Sequence, residues 1–499
     1  MSLLAPTAGP TPAPAGPERL VVPALCQPSL LGELPSADPI AHLLGKHIPP
    51  HLRPIRDASG AFPPNESPQD PDLASAMRSN AWRRIAVFAK DRIISAGAPP
   101  PTPSSAPGPS SSEEEDRIEP AGPHDVSTVL RWWNVRLQAL LRLRMYAQFR
   151  LELESLWAIL KRTTIPRHAP PSTIPTSLPA QPSTGTNAAS GDALVQPPAY
   201  LKPNVRYVRL LDSPIVPFSL HVLRAKEPML AGDPRAALEK CHALLQRCRV
   251  MQRRFLRVAS VDGQEAGDAQ LEEGARAEAS MWQERGRRMT LAIAFILVDL
   301  EDYASAISLL RPLISLRPTT PEAQVLNLLV ARLLLEAGAV ESAQACTQAV
   351  AASIDQVEAS ADSALNGTLR QLLDTAQALL SVWQGDYAAA ETRWKAHLPG
   401  LYAEPSPDEP ANTEMNPATM SNLALARFYQ GHVEEATSIL ERLLQEEPST
   451  ASSAEAVIFN LITMHELRSD DSISHKRRIL VHVAQWAGDG GGTSCLKLT

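Results

Sequence analysis

Few residues in this chain could do chemistry, and most of them fail on spacing. His465-Glu466 opens like the helical His-Glu-x-x-His of a zinc protease, where two imidazoles four residues apart hold the metal and the glutamate acts as base. Position 469 is Ser. Without that second ligand, His465 reads as a helix surface or interface residue. Gly490-Gly491-Gly492 follows no strand and precedes no Gly-Lys-Ser/Thr, so it reads as a flexible link and not a phosphate loop. Cys241 and Cys248 lie two turns apart on one helical face and have no Cys or His partner at metal spacing. They read as small buried hydrophobes. No catalytic residue, no metal ligand and no cofactor site is predicted, and the chain is not expected to be an enzyme.

Two arginine clusters are the remaining candidates. Arg131, Arg136, Arg142, Arg144 and Arg150 surround Trp132 and Trp133, and Arg247, Arg249, Arg253, Arg254 and Arg257 mark a second helix. Arginine beside aromatic rings can hold single-stranded nucleic acid or an anionic membrane surface. A solvated helix face, or arginine stems lying over apolar neighbours, gives the same pattern. A net charge of −7 disfavours nucleic acid. The solvated face is therefore the expectation, with an acidic protein or peripheral membrane contact as the alternative. The acidic run Glu113–Asp116 reads as a solvated charge block whose preceding serines could be phosphorylated.

The elements that would position these residues are helices. Of 46 prolines among 499 residues, 32 fall within residues 1–71, 97–124 and 163–198. Segments of that composition bury too little apolar surface to offset backbone entropy. The rest is rich in Leu, Ala, Arg, Glu and Gln, which are helix formers, and nothing outside those segments alternates with the period of a strand. Five scattered cysteines argue against a disulfide framework and suit a reducing compartment. The first residues lack a basic region followed by an apolar core. The longest apolar run, Leu291–Val298, is far short of the ~20 residues needed to span a bilayer. A soluble, intracellular protein is expected.

A repeated device orders the helices. Five alanine pairs stand twelve residues apart: Ala225/Ala237, Ala294/Ala306, Ala331/Ala343, Ala378/Ala390 and Ala424/Ala436. Five residues before each second alanine sit Gly232, Glu301, Gly338, Gly385 and Gly431. Helices packed at close range need a small residue on each, and a glycine between them supplies the positive φ that ends the first. Asp233 precedes Pro234 and is placed to cap the next helix. Ala306-x3-Leu310-x2-Leu313 before Pro318 is matched by Ala436-x3-Leu440-x2-Leu443 before Pro448. This is the second half of a tetratricopeptide repeat, whose period is about 34 residues. Here the second alanines lie 69, 37, 47 and 46 residues apart, and loops near 260–278, 354–367 and 399–417 are expected to hold the excess.

The predicted fold is an all-α, tetratricopeptide-like solenoid of antiparallel helix pairs with long disordered proline-rich segments. Residues 1–72 form a disordered segment. Residues 73–162 form an N-terminal helical segment, interrupted by a Ser/Pro/Glu linker at 97–124, and its Val126–Ile159 helix pair is a degenerate first repeat. A second linker spans 163–199, the repeats span 200–452, and a helical cap and tail span 453–499. Stacked helix pairs of this kind are normally a binding surface.

The C-terminal quarter carries specific residues. Val457-Ile458-Phe459-Asn460-Leu461-Ile462-Thr463-Met464-His465-Glu466-Leu467, Lys476-Arg477-Arg478 and the terminal Cys495-Leu496-Lys497-Leu498 closely resemble the end of the subunit-12 family of the trafficking protein particle (TRAPP) complex. The resemblance extends back through Asp302-Tyr303, Gly385-Asp386-Tyr387 and Val216-Pro217-Phe218-Ser219 to Val135-Arg136-Leu137 and Ala81-Trp82-Arg83. Two positions depart from it: His465 stands where the family tends to have Tyr, and Gly491-Gly492 replaces a Phe-Asn step that would anchor the tail.

The resemblance implies a non-catalytic accessory subunit of a TRAPP III-type vesicle tether, working between the endoplasmic reticulum and the Golgi and in autophagy. Other subunits of that assembly activate a Rab1/Ypt1-class GTPase. The implied partners are counterparts of subunits 8, 11 and 13, and the implied location is cytoplasmic, peripheral at intermediate-compartment and Golgi membranes. Phe459, Asn460, Thr463, Met464, Glu466, Leu467, Cys495, Leu496, Lys497 and Leu498 are the candidate partner-binding residues. Packing inside the cap is the competing reading, because Phe459, Leu461 and Met464 sit at core spacing. A rival function is a peptide-gripping co-chaperone adaptor. It would need Lys/Arg and Asn on successive first helices, and Asn327 and Asn422 lack consistent basic companions.

Overall fold

The computed structural model describes residues 23–35, 38–54, 71–97, 126–166, 207–259, 268–316, 318, 320–357, 363–398, 416–489 and 491–498. The fold is an all-α solenoid, and its strand content among the described residues is one short ladder. That ladder pairs β1 (Thr164–Pro166) antiparallel with β2 (Tyr207–Arg209). The chain divides into two units, residues 1–32, 89–137 and 147–218 in the first and residues 33–88, 138–146 and 219–499 in the second.

The first unit centres on helices α4 (Val126–Arg142) and α5 (Tyr146–Arg162). Leu130, Trp133, Leu137, Phe149, Leu153 and Leu156 are buried there, spaced three and four apart as an apolar stripe requires. Leu25 and Cys26, on the short 3₁₀ turn Pro23–Cys26, are also buried, and the Trp133 indole N–H donates to the Leu25 carbonyl at 3.0 Å.

In the second unit, α1 (Pro39–His47) and α2 (Pro71–Arg78) precede α3 (Trp82–Ala96), whose residues from Ala89 on belong to the first unit. Then come α6 (Phe218–Leu230), α7 (Pro234–Ala259), α8 (Asp268–Asp299), α9 (Tyr303–Ser315), α10 (Pro321–Glu336) and α11 (Val340–Val357). The series continues with α12 (Ser363–Trp383), α13 (Tyr387–Ala396), α14 (Pro417–Tyr429) and α15 (Val433–Glu446). A last group, α16 (Pro448–Ser453), α17 (Glu455–Arg468) and α18 (Ser472–Trp486), ends in a 3₁₀ turn at Ser494–Leu496. From α7 to α13 each helix packs on the next, and α13 packs on α14 and α14 on α15. Several starts are capped by side chains as the sequence dictates: Thr320 accepts from the Ala323 N–H and Asn416 from the Ala418 N–H, each just ahead of a proline in the first turn.

Three expectations need correction. The proline-rich stretch before residue 72 is not structureless throughout. Residues 38–48 fold as α1 behind an Asp38 cap, and Ile40, Leu44 and Ile48 enter the core beside α18. Its proline sits at the first helical position, where a missing N–H costs nothing. Second, the excess between the first two repeats is mostly helix and not loop. α7 runs for 26 residues and α8 for 32, so residues assigned to a loop up to 278 are helical from Asp268. Third, the linker expected from residue 163 starts as β1, and Leu210 N–H donates to the Thr163 carbonyl at 2.8 Å. Most of the linkers, with Glu113–Asp116 and Gly490, lie outside the described residues.

Candidate interaction surfaces

The repeated turn is the unit from which the second body is built. Gly232, Glu301, Gly338, Gly385 and Gly431 have φ of 77°, 60°, 79°, 77° and 91°. In each case the N–H of this residue donates three residues back and the following N–H donates five back. At Gly385, for example, the bonds run to the Val382 carbonyl at 3.0 Å and from Asp386 to the Ser381 carbonyl at 2.9 Å. This is the Schellman arrangement, which satisfies carbonyls left over at a helix end. A Cβ built on any of the four glycines meets nothing within 4 Å, so glycine is there for its backbone angle and not for room. The next residue then starts the partner helix: Asp233, Asp302 and Asp386 accept from backbone N–H groups three residues on, at 3.0, 3.1 and 2.9 Å. The same turn recurs at Arg144 (φ 58°) and Asn80 (φ 55°), which no glycine signalled.

Ala225, Ala237, Ala294, Ala306, Ala331, Ala343, Ala378, Ala390, Ala424 and Ala436 are all buried, eight of them completely. Each second alanine is the residue whose N–H reaches the carbonyl of the capping position, as Ala436 does to His432 at 3.0 Å. It stands one turn into its helix, and the first alanine of the pair lies five residues before the end of the preceding one. Successive repeats are also tied by charge. Glu391 on α13 accepts from Lys395 at 2.5 Å, and from Arg427 on α14 and Gln430 just past its end, both at 2.8 Å. Burial acts to raise its pKa, but these donors outweigh it and leave the carboxyl below its ordinary range.

The C-terminal candidates divide into two groups. Met464, Cys495, Leu496 and Leu498 lie inside the cap core with Leu461, Leu480 and α1. Phe459 and Leu467 stand 46% and 65% exposed. Between them is a polar lock. The Lys497 ammonium donates to Thr463 Oγ1 at 2.8 Å and Glu466 Oε2 at 2.9 Å, and lies 4.4 Å from the centre of the Phe459 ring. Lys476 donates to Glu466 Oε1 at 2.6 Å and to the Lys497 carbonyl at 3.3 Å. These two lysines, acting as donors, pull the Glu466 pKa down. Asn460 donates to Ser421 of α14 at 3.0 Å, joining cap to array. The tail is therefore docked without the Phe-Asn step. Gly492 N–H donates to Glu455 Oε1 at 2.8 Å, and a Cβ at Gly492 would lie 2.7 Å from that carboxylate.

The groups considered for chemistry are all in structural settings. His465 is buried, with its ring 4.2 Å from the His475 ring and its Nε2 3.4 Å from Glu441 Oε1, and neither ring nitrogen makes a hydrogen bond. Burial, then the His475 charge, lowers its pKa. Burial raises the thiols of Cys241, Cys248 and Cys495, the last two to about 11, so they stay protonated and weakly nucleophilic. Among the described residues no group of three or more His, Cys, Asp and Glu could hold a metal ion. No described helix is long and apolar enough to cross a membrane.

In the first arginine cluster Arg136 is fully buried. It pairs with Glu152 through two bonds of 2.7 Å and donates to the Gly32 carbonyl at 2.7 Å. Trp132 and Trp133 are buried as well, so no arginine–tryptophan surface faces solvent there. Arg144 pairs with Glu455, and Arg142 stacks 5.6 Å from the centre of the Trp82 ring. Sequence reasoning missed that buried pair. Glu152 and Arg136 are 16 residues apart on successive helices, and only the burial of both marks them.

Comparison with known proteins gives one consistent likeness. The chain is similar to trafficking protein particle complex subunit 12 of Mus musculus and of Homo sapiens, 28% identical to each over 284 residues. That stretch is 57% of this chain but only 33% and 35% of those two proteins, so the chain spans about a third of the length of the relatives it matches. No family model matches it. Over the matched stretch the chain is subunit 12-like.

Proposed function

We propose that this protein is a non-catalytic scaffold subunit of a TRAPP-type vesicle-tethering complex. The likeness to subunit 12 carries the reading, and the five repeated turns with their buried alanine pairs supply the physical means. Helix pairs joined in this way form a tetratricopeptide-like array over residues 200–452, closed by the cap at 453–499. Such an array offers a long face for an extended or helical segment of a partner. The partners are counterparts of subunits 8, 11 and 13. Nucleotide exchange on a Rab1/Ypt1-class GTPase belongs to other subunits, and the assembly serves traffic between the endoplasmic reticulum and the Golgi, and autophagy, at the membranes between them. Phe459 and Leu467, two of the exposed apolar residues of the cap, contribute to partner contact, whereas Cys495, Leu496 and Leu498 hold the tail in place.

The test is affinity capture of the tagged full chain from its native cell, with the captured proteins identified by mass spectrometry. Recovery of several TRAPP subunits is expected, reduced by Phe459→Ser combined with Leu467→Ser while thermal stability is unchanged. Capture of chaperones with no TRAPP subunit would replace this reading by the adaptor one.

A further inference from the structure

The second arginine cluster behaves unlike the first. After Glu239, α7 carries no acidic residue to its end at Ala259, yet it holds Lys240, Arg247, Arg249, Arg253, Arg254 and Arg257. Its inner face, Ala237, Cys241, Leu244, Leu245 and Cys248, is buried and packs on α8. At Gly286 of α8 an added Cβ would lie 3.7 Å from Cys248 Cβ and 3.8 Å from a Leu245 methyl. That close seating fixes which side of α7 looks outward. At 3.6 residues per turn, Arg249, Arg253 and Arg257 follow one another up the outward side over about 12 Å, with Arg254 beside them. All four are exposed.

Among the described residues of the second unit, no ion pair neutralises this side at its centre. Among the described residues Arg249, Arg253 and Arg254 make no ion pair, and the pairs formed on α8, Arg276–Glu272 and Arg288–Glu284, run along α8 itself. Aliphatic tips stand among the guanidinium groups: Val250 is 61% exposed, Leu256 48% and Val258 43%.

We propose that this face of α7 is a peripheral docking surface for an anionic phospholipid bilayer. Guanidinium groups match phosphate oxygens bidentately, and the exposed aliphatic tips would enter the boundary just below the headgroups. An acidic peptide could satisfy the guanidiniums but need not cover those tips. The chain is acidic overall, with net charge −7, so an anionic membrane attracts this face while repelling the molecule on average. The face thereby sets orientation as well as affinity. The inference does not depend on membership of any complex.

The test uses the purified full chain and vesicles of phosphatidylcholine alone or with about 30% phosphatidylserine, at low and physiological salt. Binding to the anionic vesicles only, weakened by salt, is expected. The triple variant Arg249→Glu, Arg253→Glu, Arg254→Glu should bind at least about 100-fold more weakly. A charge-matched control, Lys161→Glu, Arg162→Glu, Arg332→Glu, should stay much closer to the parent. Circular dichroism should match in all three. If the triple variant is misfolded, single Arg→Gln changes should each cost about 5-fold. The proposal is overturned if the parent does not bind anionic vesicles or binds neutral ones equally, or if the control loses as much as the triple variant. It is also overturned if the variant loses an acidic protein from affinity capture while vesicle binding is unaltered.

Discussion

The array from α6 to α15 and the cap beyond it solve the same problem, burying an apolar helix face, by different means. In the array, packing is mostly between neighbours in sequence, and within each of the five helix pairs one turn with a positive φ and two alanines twelve residues apart recur. In the cap the contacts are remote. Asp489 N–H donates to the Asn80 carbonyl at 2.8 Å, Arg83 N–H to Asp489 at 3.0 Å, and Asn80 to Ser453 at 3.1 Å. Ile40 and Leu44 join the same core as Leu480 and Leu496. A repeat can thus be short and generic, whereas an end must be closed by particular residues brought from far away.

If that contrast holds, damage should stay local and differ in kind. The largest effect is expected at the tail. Leu496 is 1% exposed, and Leu496→Ala should cost about 2–5 kcal/mol, through lost apolar transfer and an unfilled cavity. Amide hydrogen exchange should show α17 and α18 opening while α9 to α12 stay protected. Uniform loss of protection would mean that cap and array are one cooperative unit. Next in size, Ala436→Leu or Ala306→Leu should cost about 1–3 kcal/mol, because a fully buried methyl between paired helices leaves no room for three more carbons. Chemical denaturation measures it, and an unchanged midpoint would contradict the close approach of the pairs.

The contrast also explains what the sequence made legible. The left-handed turns could be read because glycine, with no Cβ, has a sequence identity tied to that backbone angle; Glu301 was found only by its register with the others. Arg144 and Asn80 adopt the same angle with no such signature. The ten alanines are legible for a related reason, since their size is the interaction. Lengthened helices were misread as loops because Gly274 and the acidic residues around it favour a loop locally, and packing of α8 on α7 overrides that preference. The cap's polar lock was half visible. The terminal Cys-Leu-Lys-Leu stood out as a motif, but residue type alone could not separate Leu496 facing inward from Phe459 facing outward. Helix α1 was hidden by its prolines, whose role as helix starts depends on the Asp38 cap before them.

A smaller effect probes the turn itself. In Gly385→Ala the added methyl meets no neighbour, so only the left-handed backbone is penalised, by about 1 kcal/mol. The reverse change, Glu301→Gly, should relieve the same strain and stabilise by less than ~1 kcal/mol, since glycine also frees the unfolded chain. Thermal midpoints moving in opposite directions would support a shared turn. A large loss at Gly385 would point instead to a clash and a different local geometry.

The smallest expected effect separates the cap from the array by pH. The groups facing His465 are Glu441 on α15, Arg468 on its own helix, and His475 and Arg478 on α18. Burial and the cationic neighbours outweigh Glu441, so the imidazole is held below its ordinary 6.5. The unfolded chain therefore binds this proton more readily, and the folded state is favoured fully above pH 6.5 and progressively less as the pH falls toward the depressed value. The carboxyls of Glu466 and Glu391, depressed from 4.5, keep their contribution until more acidic conditions. Between pH 7.5 and 5.5 the cap should lose stability while the array holds. His465→Phe should flatten that slope, with any remainder owed to His482, whose burial also lowers its pKa. Thermal melts followed by exchange in α17 would read this directly, and a slope unaltered in both His465→Phe and His482→Phe would place the titrating group outside the cap.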